Sequence, residues 1–338
     1  MKRVSLRRAL VASVAAGAAL LAVAACSSSP ASSTPSDAAA ANSTAPFALR
    51  VGFISNTPTP VGPEGLAYHN GTLLKGLKSL GATSVSFTAF PNGPNLMAAM
   101  AGGSIDIGIL GDTPAVTAKA DGINTRLINQ SFVGLDTYLY SSKGGPTSIA
   151  QLKGKTVATQ VGSYMYRYLV TLLNQEGLSS SVKVTNIYTT AAAAALESGG
   201  IAAYAAPAGQ ETAILSNAGY SILDKASADH TSLLGTDVTV ITAGELAAHP
   251  GLPHAWNEVR DQAIATMNAN PTAYYTWAAA ADQTSVSALE TSSPLSGYPT
   301  TPFTSNGIGL LQDVNTFLQS NKLTKAAVSV TGWEVPTP

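Results

Sequence analysis

Three short polar turns hold the residue types that could bind a small ligand. Each follows an apolar run with the alternating pattern of a strand, and the second and third precede a helical pattern. The turns consist of Ser55, Asn56 and Thr57, of Gly111, Asp112 and Thr113, and of Gly162, Ser163 and Tyr164. A strand that leads into a helix leaves backbone N–H groups unpaired beyond the sheet edge. These donors face either solvent or a ligand, and a ligand held there would be a small anion.

Capping is the alternative role for the side chains of these turns. Asp, Ser and Thr at helix starts commonly accept hydrogen bonds from the first backbone N–H groups, and Pro114 suits the first helical position. A carboxylate beside an anionic ligand would repel it, so Asp112 is expected either to cap its helix or to meet a ligand amine. Arg167, in the helix after the third turn, is expected to face solvent rather than an anion.

The sequence lacks the motifs of common enzyme sites. Its four histidines show no metal-ligand spacing, and neither a G-x-S-x-G motif nor a phosphate-binding P-loop is present. The only cysteine is Cys26, so no intramolecular disulfide or cysteine metal site is possible. We therefore expect no catalytic residue, metal or cofactor, and a protein that is not an enzyme.

The apolar patterning predicts an α/β protein with mostly parallel sheets. Strands are predicted at 47–54, 85–90, 105–109, 124–128 and 155–160. Helices are predicted at 66–80, 95–101, 114–120, 164–175, 254–281 and 308–321. The first alternating unit is complete by residue 130 and a second spans 142–240. The long helices at the end are expected to pack on the first unit, so the chain must cross between the units near 137–141 and near 238–242.

The N-terminus resembles a bacterial lipoprotein signal peptide. Lys2, Arg3, Arg7 and Arg8 precede an apolar run over 9–25, and Val23-Ala24-Ala25 stands directly before Cys26. This resemblance implies a signal peptide over 1–25, cleaved before Cys26, whose acylation anchors the protein to the outer face of the cell membrane. The alternatives are an ordinary secretory signal or an uncleaved anchor helix. Residues 26–45, which precede the predicted folded part, contain no large apolar side chain and are predicted to form a disordered tether.

The charge balance excludes nucleic acid as a partner. The leader carries four of the 18 basic residues and none of the 19 acidic ones, so the chain that follows has a formal charge of −5. An acidic chain of this kind does not suit nucleic acid or an anionic lipid surface. An anionic ligand would have to be recognised by local donors rather than by a basic surface. The length that remains after the leader favours two domains.

Several segments resemble the substrate-binding proteins of ABC importers for aliphatic sulfonates, taurine and nitrate. Residues 103–122, GSIDIGILGDTPAVTAKADG, resemble that family's G-x-x-D-x-G-x-x-G-D-x-P segment. Residues 148–178 resemble its L-K-G-K-x-V-A strand, G-S turn and following helix, and 249–279 resemble its late helix pair. Residues 195–207, ALESGGIAAYAAP, match its A-L-x-x-G-x-V-D-A-W segment in part. The resemblance covers 48–335 in the same order.

The resemblance implies a two-lobed periplasmic-binding-protein fold with mostly parallel sheets and two hinge crossings. Lobe one would comprise 46–138 and 243–338, and lobe two would comprise 139–242. The protein would bind a solute between the lobes by hinge closure and deliver it to an ABC permease in the membrane. No cofactor and no nucleic acid are implied, and the protein is expected to be a monomer.

The implied ligand is a small organic anion similar to an alkanesulfonate, held by the three turns, with Tyr164 lining the cleft. The sequence departs from the family at 202–210, where Ala202 and Tyr204 replace an acid and a tryptophan. Tyr204 is expected to stack on an apolar ligand tail or to be a half-buried core residue. The altered wall leaves a neutral or zwitterionic solute, such as taurine or a thiamine-pyrimidine precursor, as the alternative. An enzyme related to pyrimidine-precursor synthase is the more remote alternative.

Overall fold

The computed structural model describes residues 45–336, in which strands and helices alternate along the chain. The predicted signal peptide (1–25) and the predicted tether (26–45) with Cys26 lie outside the described residues, apart from Ala45. Within the described part of the chain, no helix has the length and apolar character that a membrane span requires.

Within residues 45–336, ten strands form two five-stranded sheets. In chain order they are β1 (Phe47–Ile54), β2 (Ala82–Phe90), β3 (Ile107–Gly111), β4 (Thr125–Leu135), β5 (Thr137–Ser141), β6 (Thr156–Thr159), β7 (Lys183–Asn186), β8 (Ala203–Pro207), β9 (Ser221–Lys225) and β10 (Gly235–Thr242). The first sheet has the order β2-β1-β3-β10-β4 and the second the order β7-β6-β8-β5-β9. Neighbouring strands are parallel except at β10 and β5, which are antiparallel to both of their neighbours. The predicted α/β class is confirmed.

Helices cover both faces of each sheet. In chain order they are α1 (Gly62–His69), α2 (Thr72–Leu77), α3 (Gly93–Ala101), α4 (Asp112–Ala120), α5 (Tyr164–Gln175), α6 (Thr189–Glu197), α7 (Gln210–Asn217), α8 (Ala226–Asp229), α9 (Ala243–Ala248), α10 (Leu252–Ala269), α11 (Pro271–Ala281), α12 (Val286–Ser292), α13 (Ser305–Ser320) and α14 (Val330–Trp333). One face of the first sheet packs on α3, α4 and α13, and the other on α2 and α10. The second sheet packs on α5 and, through its other face, on α6 and α7.

Alternation along β10 shows why both faces of the first sheet are covered. Val238 and Val240 belong to the apolar cluster on one face, and Ile241 belongs to the cluster on the other. Because successive side chains of a strand point to opposite faces, a strand that is apolar on both faces needs a helix layer on each side. The late helices α10 and α13 provide part of both layers.

The chain passes between the sheets twice, and each time it enters an antiparallel strand. Only Asp136 separates β4 from β5, and residues 226–234 lead from β9 to β10. Lobe two is predicted to comprise 139–242, whereas β10 (Gly235–Thr242) hydrogen-bonds to β3 and β4 of the first sheet. Apolar alternation identifies a strand but does not identify the sheet that it joins. The domain boundaries themselves stay a prediction.

A glycine divides the first predicted helix. One helix is predicted over 66–80, whereas the structure has α1, α2 and a short 3-10 turn at Lys78–Leu80. Gly71 has φ +71°, a left-handed conformation that glycine adopts without the steric penalty of a Cβ atom. Two helices separated by a turn therefore replace one. The predicted limits of the first strand (47–54) and of the helix at 164–175 agree with β1 and α5.

Two glycines inside helices provide a matched test of the helix packing. A Cβ added at Gly76 of α2 would lie 2.2 Å from Val259 Cγ2 on α10, whereas one added at Gly309 of α13 would meet nothing within 4 Å. Gly309→Ala should stabilise the protein by up to about 1 kcal/mol through helix propensity. Gly76→Ala should destabilise it by about 1–3 kcal/mol because the helices are overpacked. Urea unfolding measures both, and equal free-energy changes would contradict this close approach.

Candidate functional site

A cavity of about 310 Å³ lies where strand ends of the two sheets meet. Ser55 and Gly111, at the carboxyl ends of β1 and β3, line it from the first sheet. Gln160 and Pro207, at the carboxyl ends of β6 and β8, line it from the second. Open α/β sheets bind ligands at this edge, which makes the cavity the candidate site.

The structure brings part of the predicted site together. The predicted residues that line the cavity are Ser55, Asn56, Gly111, Ser163 and Tyr164. They come from all three turns, because each turn follows a strand whose carboxyl end lies at the cavity edge. The predicted residues outside the lining are Asp112, Thr113, Gly162 and Tyr204.

The turn after β1 contacts the second sheet's side of the cavity. Asn56 Nδ2 donates a hydrogen bond of 2.9 Å to Glu211 Oε1, on the first turn of α7. Ser55 Oγ accepts a hydrogen bond of 2.9 Å from the Thr57 amide and lies 3.0 Å from Thr57 Oγ1. The turn is thus ordered by its own side chains, and the Asn56–Glu211 bond links the two sides of the site.

Asp112 and Thr113 lie beneath the cavity, and both are fully buried. Asp112 Oδ1 accepts hydrogen bonds from the Thr113 amide and hydroxyl, and Oδ2 accepts one of 2.8 Å from the Thr236 amide. The Thr113 amide and hydroxyl, at the start of α4, therefore already donate to this carboxylate and are not free to bind an anion. Asp112 is the first residue of α4, whose N-cap is Gly111 without a side-chain cap hydrogen bond, so the role of Asp112 toward a ligand stays a prediction.

Arg167 is buried rather than exposed to solvent. Its side chain is 2% exposed, and its guanidinium lies 4.0 Å from Asp112 Oδ2. It also donates hydrogen bonds to the carbonyls of Ser232, Leu233 and Leu234, in the segment that leads into β10. The positive charge of Arg167 is therefore paired with Asp112 and with backbone carbonyls rather than with solvent.

Ser163 begins α5 at the edge of the cavity. Its Oγ accepts a hydrogen bond of 3.3 Å from the Tyr166 amide, so it is the N-cap residue, and it donates one of 2.6 Å to the Gln160 carbonyl. The first backbone N–H groups of a helix have no partner within the helix. The amides of Tyr164 and Met165 are the corresponding groups here, and both residues line the cavity.

The Tyr164 ring lies against two glycines of the first sheet. A Cβ added at Gly235 would be 2.7 Å from the ring, and one at Gly111 would be 3.5 Å from it. Only glycine at position 235 leaves room for the ring beside the start of β10. Burial raises the pKa of Tyr164 well above its usual value, and the nearby Asp237 carboxylate adds to the shift. The phenol therefore stays protonated and can donate a hydrogen bond.

Tyr204 and Gly162 have structural positions outside the cavity lining. Tyr204 is fully buried in the second sheet's core, and its hydroxyl donates a hydrogen bond of 3.1 Å to the Ile187 carbonyl. The alternating pattern of β8 turns this side chain toward α6 and α7, so it does not reach a ligand tail. Gly162 has φ +82° in the turn before α5, a conformation that a side chain would strain.

Four acidic residues line the cavity that were not predicted from the sequence, namely Glu64, Glu211, Asp237 and Asp282. Asp237 is the third residue of β10. Site residues were sought after the carboxyl ends of strands, whereas β10 is antiparallel and has its amino end at the cavity. The signal was an acid inside the apolar strand GTDVTVIT. Glu211 and Asp282 follow no periodic pattern.

Burial raises the pKa of each of these acids. For Asp237 it rises to about 7, with additional contributions from Asp112 and Glu64, and for Asp282 to about 6, with a contribution from Glu211. Burial also raises the pKa of Glu211, which hydrogen bonds from Thr189 and Asn56 partly offset. Within residues 45–336, no group of three or more His, Cys, Asp or Glu side chains could hold a metal ion.

The chain is similar in sequence to a protein described as a putative aliphatic sulfonates-binding protein of Escherichia coli (strain K12). The two are 29% identical over 220 residues, which are 63% of this chain. The match spans 62% of that relative's length, less than two thirds of it.

Solved structures share the fold. The alkanesulfonate-binding protein SsuA from Xanthomonas axonopodis pv. citri, bound to MOPS, has a TM-score of 0.71 at 22% identity, over 86% of this chain and 98% of that one. The desulfurization enzyme DSZB has a TM-score of 0.65 at 15% identity, over 85% of this chain and 96% of that one. The fold implied by the resemblance is thus confirmed, and it is a fold that occurs in both a binding protein and an enzyme.

The chain also matches the model of a protein family. The model is described as NMT1/THI5 like, and it matches residues 71–274. The matched range contains the cavity residues Gly111, Ser163, Glu211 and Asp237. Since more than half of the chain is matched, this protein belongs to the NMT1/THI5-like family.

Proposed function

We propose that this protein is the extracytoplasmic solute-binding component of an ABC importer and that it binds a small organic anion similar to an alkanesulfonate. The observation that carries the proposal is the cavity of about 310 Å³ bordered by strand ends of both sheets. Membership of the NMT1/THI5-like family and the similarity to a putative aliphatic sulfonates-binding protein support it. Binding between two α/β units is typical of proteins that close around a solute by hinge motion.

The acidic head group of the solute is proposed to lie at the start of α5. The amides of Tyr164 and Met165 provide donors there, and the positive end of the helix dipole contributes about 0.3–1 kcal/mol. A hydrogen bond to a charged oxygen contributes about 1.5–3 kcal/mol. Ser163 would turn its hydroxyl from the Gln160 carbonyl to the head group. Three or four such bonds suffice for micromolar affinity, which corresponds to about −8 kcal/mol.

The Asn56–Glu211 hydrogen bond supports closure around the solute. It joins the turn after β1 to the first turn of α7 at the side of the cavity. In the proposed mechanism it forms as the two sides approach and is absent in the open form. The chain crosses from the first sheet to the second at Asp136, the single residue between β4 and β5. We propose this crossing as a hinge for the closure.

A lipid anchor is proposed to hold the protein beside its permease. The resemblance of residues 1–26 to a lipoprotein signal peptide supports it, with acylation of Cys26 and a tether before the folded part. A monomeric solute-binding protein tethered in this way would meet an ABC permease in the same membrane.

A neutral or zwitterionic solute is the second candidate ligand. The absence of Lys, Arg and His from the described cavity lining favours it, because no side-chain cation is available to a purely anionic ligand. Binding rather than catalysis is proposed for either ligand, and formation of a product from a bound sulfonate, pyrimidine or other solute would contradict this.

Thermal-shift measurements with 1-propanesulfonate, taurine, nitrate and a pyrimidine precursor test the proposed ligand. A ligand that binds the folded state raises the unfolding midpoint by mass action. Ser163→Ala should weaken sulfonate binding about tenfold, because one hydrogen bond to a charged oxygen is lost. Isothermal titration measures the affinity.

The control for the lost helix cap is Ser285→Ala. Ser285 caps α12 by accepting a hydrogen bond of 3.1 Å from the Ala288 amide, as Ser163 caps α5, but it does not line the cavity. Both variants lose a cap, worth about 1 kcal/mol of stability, and only Ser163→Ala should lose affinity. Responses to uncharged compounds alone, or unchanged sulfonate affinity in Ser163→Ala, would contradict the head-group position.

Replacement of Cys26 tests the anchor. Without the thiol no lipid can be attached at this position, so Cys26→Ala should prevent incorporation of labelled palmitate and abolish lipid-mediated retention in the membrane fraction. The natural chain should incorporate the label, and solute binding by the folded part should be the same in both. Absence of label from the natural chain would contradict the anchor without affecting the proposed ligand.

A further inference from the structure

The cavity lining is acidic. Its described residues include the carboxylates of Glu64, Glu211, Asp237 and Asp282, and no Lys, Arg or His side chain. Carboxylates that line a partly buried cavity repel one another, so each raises the pKa of its neighbours. A purely anionic solute would add to this repulsion, so a cationic group of the solute is the natural complement.

The two buried arginines near the site face Glu64 and Asp112, and neither of them is among the residues that line the cavity. Arg260 Nε lies 3.1 Å from Glu64 Oε1, and the same guanidinium donates to the carbonyls of Pro299 and Ser131. Arg167 is held by Asp112 and by carbonyls of the segment before β10. Among the cavity carboxylates, Glu64 therefore has an arginine partner in Arg260.

Asp237 has no hydrogen bond or ion pair to its carboxylate among the described residues, although burial raises its pKa to about 7. It stands opposite Gly111 in the register of β10 and β3 and lines the cavity. A Cβ added at Gly111 would be 3.9 Å from Asp237 Oδ1 and 3.5 Å from the Tyr164 ring. Gly111 thus leaves open space between this carboxylate and the tyrosine.

Glu211 and Asp282 also line the cavity, and each has a hydrogen-bonding partner there. Glu211 accepts the hydrogen bond from Asn56, and a hydrogen bond with Thr57 lowers the pKa of Asp282. The charge of Glu211 raises the pKa of Asp282, so the two carboxylates are close enough to interact. The Asn56 amide is uncharged, so its hydrogen bond does not neutralise the charge of Glu211.

An independent observation also points to a ligand. Ser131 lines the cavity and is only 4% exposed, yet its Oγ has no hydrogen-bond partner among the described residues. A buried hydroxyl without a partner costs about 1–3 kcal/mol, and such groups are uncommon unless a ligand or water completes them. A bound solute could therefore supply the hydrogen-bond partner that the Ser131 hydroxyl lacks.

We infer that the cavity contains a subsite for a protonated amine, with the Asp237 carboxylate as its main partner. The solute would thus carry an ammonium group in addition to an acidic head. This subsite rests on the proposed function, because it takes the cavity as the solute site. A hydrogen bond between an ammonium and a buried carboxylate is charge-assisted and stronger than one between neutral groups.

Three probes of equal carbon number test the subsite, namely 1-propanesulfonate, 3-amino-1-propanesulfonate and 1-aminopropane. The aminosulfonate should bind the natural chain at least about tenfold more tightly than propanesulfonate in isothermal titration at pH 8. Asp237→Asn should reduce this ratio to near one. The matched control is Asp121→Asn, an exposed acid at the end of α4, which should leave the ratio unchanged.

Failure of the amine subsite and failure of the proposed anionic ligand give different patterns of binding by the three probes. Equal affinities for the two sulfonates, or a ratio that persists in Asp237→Asn, would overturn the amine subsite and leave the sulfonate proposal standing. Binding of 1-aminopropane without any response to propanesulfonate, lost in Asp237→Asn, would support the subsite and contradict the anionic head group. No response to any of the three probes would overturn both.

The unliganded protein gives a second test, because Asp237 is expected to cost stability when it ionises. Its folded-state pKa of about 7 lies above the unfolded value, so the cost is absent below about pH 4 and complete above about pH 7. Asp237→Asn should raise the unfolding midpoint by about 5 °C at pH 8, with a gain that vanishes toward pH 4.

The pH dependence must be attributed to Asp237 among its neighbours. The charged or titratable groups around it are Asp112 at the start of α4, Glu64 on α1 and the Tyr164 phenol on α5. A gain of the same size at pH 8 and pH 4 would contradict an ionised, unpartnered Asp237.

Discussion

A single buried carboxylate joins the elements on which the site depends. Asp112 accepts hydrogen bonds from the start of α4 and from the Thr236 amide of β10, and it faces the Arg167 guanidinium of α5. These elements come from both sheets, and all of them border the cavity. Burying such a pair adds little net stability, because desolvation opposes the attraction, but loss of either partner would leave an uncompensated charge. The pair therefore determines geometry more than stability.

The distribution of charge follows from this arrangement. Arg167 and Arg260 are used inside the fold, where they pair with Asp112 and Glu64 and with backbone carbonyls. The acids that remain face the cavity, and their pKa values are raised because water is partly excluded. Folds retain such unfavourable groups mainly where a ligand makes use of them. The cavity thus differs from the basic sites expected for a simple anion, and backbone amides are its main donors for a negative group.

Similarity at the level of family and fold leaves the ligand undetermined for a physical reason. The fold provides strand ends at a shared edge, whereas the ligand depends on the side chains there. In this chain the segment 207–211 brings Pro207 and Glu211 to the cavity, and Tyr204 turns into the core. A binding protein and an enzyme share this backbone, so the chemistry must be deduced from the cavity residues.

The sequence by itself determined the α/β class and the three turns that lie near the cavity. Periodicity and capping residues are local, so the limits of β1 and α5 and the turns at Ser55, Gly111 and Ser163 could be predicted. Only the tertiary structure decided that β10 returns to the first sheet, because pairing partners are not encoded in alternation. That antiparallel return brings Asp237 to the cavity. Long-range contacts likewise hold Asp112 against β10 and bury Arg167, which was expected to face solvent, since competition between partners is resolved only in the folded chain.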